Sequence, residues 1–152
     1  MKKSLLIISL LSGLFFSTYL HAAKATTTKD ENKKLVSDFY ELSFNKHQPQ
    51  LAMDKYVGSY YKQHNPYVAD GKEPFIKYFT QYYKENPNAH VEIKRLIAEN
   101  DLVVIHLLSK QNKEDRGRAV VDIFRIESGK IVEHWDVVQP VVEKSANSNS
   151  MF

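Results

Sequence analysis

The chain has no cysteine in 152 residues, so neither a disulfide framework nor a thiolate metal site is open to it. An oxidising compartment therefore costs it nothing. Glycine is scarce, with five residues, and none forms a glycine-rich phosphate loop. No serine sits in a nucleophile-elbow pattern, and neither internal repeats nor low-complexity segments occur. A strong charge of one sign is also missing: the formal net charge is only +3. One extended apolar run exists, from Leu5 to Phe16, and it is too short and too soon followed by polar residues to make a good membrane span.

What is present near the start explains part of the basic balance. Lys2-Lys3, the apolar run and the small pair Ala22-Ala23 read as a cleavable secretory signal over residues 1–23. No lipobox cysteine follows it. Its removal leaves 19 basic against 18 acidic side chains, a charge of +1. A nucleic-acid partner gains no support from that balance. The expectation is a periplasmic or secreted protein without a membrane attachment after cleavage. The remaining residues, about 130, suffice for one domain with its own core.

Residues 24–30 read as a polar linker, 31–142 as the domain and 143–152 as a polar tail ending in Met151-Phe152. Those two apolar residues either fray or tuck into a groove or pocket mouth. From Asp30 the pattern is helical, with Leu35, Phe39 and Leu42 at i, i+4 and i+7, but Asp30 lacks a capping-box partner. Pro49 suits the first turn of a second helix through Tyr56. Ser59 to Pro66 reads as a strand entering a loop. Asp70-Gly71-Lys72-Glu73 reads as a capping box before a helix with an aromatic stripe, Phe75, Tyr78, Phe79 and Tyr82. Asn86-Pro87-Asn88 ends it. Strands and turns fill Ala89 to Pro140, with Val91, Ile93 and Ile97 expected on one face of the first strand. His106 is expected as a core histidine. Lys113, Arg116 and Arg118 are expected as a solvated loop patch.

The last hairpin, Val120 to Pro140, carries the chemistry. Glu127-Ser128-Gly129 allows a two-residue or a three-residue turn, and Gly129 in the left-handed bulge position favours the second. That register sets Asp122 opposite His134. One face then holds Asp122, Phe124, Val132, His134 and Asp136. The other holds Val121, Ile123, Arg125, Ile131, Glu133 and Trp135. The two-residue turn would split the acids from the histidine, since a one-residue slip reverses every side chain. Strands apolar on both faces suggest helices on one side and a second copy of the protein on the other, with Trp135 at that interface.

Three helices followed by an antiparallel meander resemble the α+β cone of nuclear transport factor 2-like proteins. The stretch Asp122 to Asp136 resembles the signature of the SnoaL-like, polyketide-cyclase branch. Gln63-His64-Asn65-Pro66, Asp70-Gly71-Lys72 and the Met-Phe ending resemble a bacterial subset labelled as aldol-condensation enzymes. The resemblance covers about residues 32–152 and implies three helices packed on a strongly curved antiparallel sheet. It also implies ring closure or isomerisation on an enolisable ligand, without metal or covalent catalysis, with Asp136 as base and Asp122 in an acid–base or orienting role.

Proton abstraction next to a carbonyl needs a base near the carbon and a donor near the oxygen. Asp136, His134, Asp122 and His64 are the catalytic candidates. Asn65, Phe124, Phe75, Phe79 and Tyr82 are the ligand-binding candidates. No cofactor is expected. A metal held by His134 and Asp136 with His64 and Asp122 is a conceivable alternative, suited to iron or zinc. A non-catalytic small-molecule binder using the same pocket is the main rival, and a purely structural Asp122–His134 pair is the plainest reading.

Overall fold

A computed structural model describes residues 27–152; the expected signal segment lies outside the described residues. Three α-helices, α1 (Lys29–Tyr40), α2 (Pro49–Tyr56) and α3 (Lys72–Glu85), pack on an open, curved five-stranded sheet. The strands are β1 (Val57–Gln63), β2 (His90–Glu99), β3 (Leu102–Lys110), β4 (Arg118–Glu127) and β5 (Lys130–Pro140). Their order is β1-β5-β4-β3-β2, antiparallel throughout except that β1 runs parallel to β5.

The helix starts differ from expectation. The first is capped by Thr28, whose hydroxyl accepts the Glu31 N–H while Glu31 reaches back to the Thr28 N–H. Helix α1 thus begins inside the stretch read as linker. It runs on into a π-helical turn, Glu41–Asn45. The expected cap at Asp70 is absent: Gly71 holds the N-cap position, and Asp70 Oδ1 accepts the Gln63 N–H at 2.7 Å. That bond ties the loop before α3 to the end of β1. Lys72 Nζ donates to the carbonyls of Met53 and Val57 at 3.1 and 3.0 Å, satisfying the C-terminal end of α2.

The core lies between helices and sheet. Val36, Phe39, Tyr40, Ala52 and Met53 from the helices meet Val103, Ile105, Leu107, Phe124, Ile126 and Ile131 from the strands. The ladder of β2 shifts between Ile93 and Arg95, so Val91 is buried but Ile97 is reversed and 60% exposed. Leu96 and Ala98 pack inward in its place.

The final hairpin turns on two residues, not three. Glu127 pairs with Lys130, while Ser128 and Gly129 have φ of 49° and 71°. Positive φ at both central positions is the I′ geometry that matches strand twist. An extra residue then enters β5: Ile126 pairs with Ile131 and Arg125 with Glu133, leaving Val132 as a bulge. Ile131 faces the core with no exposed surface, reversing the expectation that put it outside.

Outside, Arg125 Nε and Glu133 Oε2 are 2.8 Å apart, and Arg125 also reaches Asp101 at 2.6 Å. His106 is on this outer face, not in the core. Its Nδ1 lies 2.9 Å from Arg95, and its ring stacks on Phe152 at 5.5 Å. Lys94 sits over the same Phe152 ring. The chain end is therefore tucked against the outer sheet face, away from the cavity.

Candidate functional site

The bulge at Val132 sets the inward row of β5. Downstream of it Phe124 pairs with His134, Asp122 with Asp136 and Val120 with Val138. Asp122 also pairs with Ile105 on its other side. An acid between two strands on the core face is deeply buried, and Asp122 is only 6% exposed. The expected partner of Asp122 across the ladder was His134; the observed one is Asp136, displaced by two residues. Parity is unchanged, so all three groups still face inward together.

Strand β1 supplies the missing parts. Gln63 lies beside His134 in the parallel ladder, and its Oε1 is 2.8 Å from His134 Nδ1. The same oxygen accepts the Asn65 backbone N–H at 2.9 Å. A backbone N–H can only donate, so this end of the amide is the oxygen, and His134 Nδ1 must carry a proton. The Nε2 atom then faces Asp122 Oδ1 at 3.3 Å. One proton between them satisfies this contact, carried by either partner. Burial pushes the Asp122 carboxyl above its ordinary range; the His134 hydrogen bond and charge oppose this, and Asp136 adds to it.

Asp136 is held separately. Asn65 Nδ2 donates to its two oxygens at 2.9 and 2.7 Å. The Asn65 amide is itself oriented, because its oxygen accepts the Tyr67 N–H at 2.9 Å. Tyr61 lies parallel to His134 at 6.2 Å, and Phe124 flanks it at 4.9 Å. Burial, helped by the Asp136 charge, keeps the Tyr61 hydroxyl protonated well above the usual range, though a Gln63 hydrogen bond works against it.

These groups sit in the wall of a cavity of about 440 Å³. Phe39, Phe44, Phe75, Phe79 and Tyr82 give it an aromatic lining. Of the candidates named from sequence, Asp122, His134, Asp136, Asn65, Phe124, Phe75, Phe79 and Tyr82 all line it. His64 does not. Its Nε2 lies 2.8 Å from Glu133 on the outer face, and its ring stacks on Trp135 at 4.5 Å. The reason is elementary: on an extended strand, neighbours point to opposite sides. Gln63 and Asn65 point in, so His64 points out. That alternation was the available signal for Gln63, which sequence reasoning missed. Phe39 and Phe44, assigned only to helix packing or passed over, also reach the lining.

One carboxylate, one imidazole that can give or take a proton and a second carboxylate thus meet in an apolar hollow. That set can move a proton. Its ligand atoms also lie within 4.8 Å of one another, so Asp122, His134 and Asp136, without His64, are the residues that could hold a divalent cation.

Comparison with known proteins follows the same lines. The fold is similar to TsrD from Streptomyces laurentii, at 21% identity and TM-score 0.60, covering 74% of this chain and 90% of that one. It is similar to a candidate polyketide cyclase from Acidithiobacillus ferrooxidans, at 18% identity and TM-score 0.61, covering 74% and 90%. AclR from Streptomyces galilaeus, a candidate hydroxylase, is 19% identical with TM-score 0.58, covering 74% and 81%. No match was found among curated proteins. Residues 36–134 match the SnoaL-like domain, and on that match the chain belongs to the SnoaL-like family within the nuclear transport factor 2-like superfamily.

Proposed function

We propose that the cavity binds a small, largely apolar carbonyl compound and that Asp136 removes a proton from the carbon next to the carbonyl. The observation that carries this reading is the convergence of Asp122, His134 and Asp136 within 4.8 Å in an aromatic-lined cavity. Asn65 orients the Asp136 carboxylate. The Asp122–His134 pair, holding one proton between them, delivers it to the developing enolate oxygen through His134 Nε2. Gln63 keeps that nitrogen aimed inward. The outcome is an isomerisation or aldol-type ring closure, in keeping with the cyclase among the structural relatives. The apolar N-terminal segment, read as a secretory signal, supports work outside the cytoplasm, which a chain without cysteine tolerates. Exposed Ile97 and Val137 on the outer face support a self-association surface there.

The test is exchange of the α-protons of an uncharged aryl ketone, methyl 8-oxo-8-phenyloctanoate, in heavy water by NMR. The wild-type protein should catalyse exchange, and Asp136→Asn should slow it by about a hundredfold or more while retaining affinity. Binding without exchange in the wild type would overturn catalysis and leave a small-molecule carrier, the reading that the aromatic lining alone would support.

A further inference from the structure

The cavity is polarised along its length. Its acids lie in the row of Asp122 and Asp136. Four residues back along β4, on the same face, Arg118 lines the other end, with Ser109 opposite it on β3. Lys110 and His90 adjoin as a ladder pair and line the same end. Four strand residues span about 13 Å. Arg118, read from sequence as part of a solvated loop, thus opens β4 and faces the cavity.

Arg118 makes no hydrogen bond or ion pair among the described residues, while most other arginines here are engaged. Lys110 Nζ donates to the Lys113 carbonyl and lies within charge range of Glu92, leaving further donors free. The acid in reach of both cations is Asp115, and its two oxygens already accept the Gln111 and Gly117 N–H groups. A cation pair at the mouth and a carboxylate pair at the opposite end impose one direction on a charged ligand. An anionic group is repelled by the Asp136 carboxylate and attracted by Arg118 and Lys110. Tyr78 and Tyr82 on α3 also line the cavity, with Tyr82 near Arg118.

We propose that the ligand is an elongated apolar carboxylate, its carboxylate held by Arg118 and Lys110 at the mouth and its uncharged carbonyl end directed toward Asp136. This deepens the reading of the cavity as a carbonyl site and rests on it for the ligand's other end. The test compares 8-oxo-8-phenyloctanoate, whose methylene chain separates the carboxylate from the ketone along that span, with its methyl ester by isothermal titration calorimetry, alongside the α-proton exchange assay. The free acid should bind about tenfold more tightly than the ester, the worth of one charge-assisted hydrogen bond at a partly exposed site. Arg118→Gln and Lys110→Gln should each erode that preference by weakening the acid more than the ester, with folding intact by circular dichroism. Raising salt should narrow the gap as well. Equal binding of acid and ester, or a preference that survives both substitutions, overturns the anion site while leaving proton abstraction standing. Preference for the acid without any exchange upholds the anion site and sinks the catalytic reading. Failure of both probes to bind overturns the proposal.

Discussion

Glu133 on the outer face is where the structure yields a stability change with a definite sign. Two cations and an imidazole converge on its carboxylate: Arg125 and His64, each at 2.8 Å, and Lys62 at 3.4 Å. Desolvation pushes the carboxyl up, but the hydrogen bonds from His64, Arg125 and Lys62 prevail and bring it from 4.5 to about 2. At 1.36 kcal/mol per pKa unit that difference corresponds to about 3 kcal/mol. Lys62 is 60% exposed, so water screens part of the network, and about 1–2 kcal/mol is the expected size. The folded state binds fewer protons than the unfolded one between the two values. The contribution is therefore complete above pH 4.5 and lost as pH falls through about 2. Urea unfolding of wild type and Glu133→Gln at several pH values measures it directly. The variant should be less stable by about 1–2 kcal/mol at pH 7, and the gap should close progressively in acid. A gap that is absent at pH 7, or constant from pH 6 down to pH 3, would refute the reasoning. The same network predicts that His64 serves stability and not proton transfer.

Three further outcomes follow from packing and charge. Asp122→Asn should raise the melting temperature at pH 8, because a carboxyl held above its unfolded pKa costs stability as pH rises through that window; the advantage should shrink toward pH 4 in paired thermal scans. Phe124→Ala removes a side chain that is 2% exposed and packed between Phe39, Tyr40 and His134, and should cost about 3–5 kcal/mol in urea unfolding. Deleting Val132 removes the bulge residue and should cost about 1.5–3 kcal/mol of burial, yet keep Asp122 beside Asp136; cross-strand nuclear Overhauser effects that instead pair Asp122 with Trp135 would show the register argument to be wrong.

How much of this was legible in the sequence depends on whether the signal was periodic or topological. Helical spacing from Leu35 to Leu42 and the stripe from Phe75 to Tyr82 announced two helices, and both faces turned out to be packed or cavity-lining. The helix caps were misread at Asp70 because Asp-x-x-Glu spacing says nothing about a competing donor, here the Gln63 N–H. The parallel placement of β1 against β5 has no local signal at all, and it is what brings Gln63 to His134. The bulge in β2 similarly reverses Ile97 with no glycine or proline to mark it.

The hairpin shows why a site can survive a wrong turn. A three-residue loop and a two-residue loop followed by one bulged residue both shift β5 by an odd step relative to a plain two-residue hairpin. Either arrangement keeps His134 and Asp136 on the face of Asp122 and Phe124. What selects between them is the burial of Ile131 and Val132, 0% and 3% exposed, since the bulge lets both consecutive residues escape water. Were Val132 paired in the ladder instead of bulged, Glu133 and Trp135 would have to enter the core, and a charge network with Arg125, Lys62 and His64 would be lost with them. The outer-face ion pairs and the inner-face acids are therefore two readings of one register. A change that disturbs the pairing of Arg125 with Glu133 reaches the catalytic candidates as surely as one made inside the cavity.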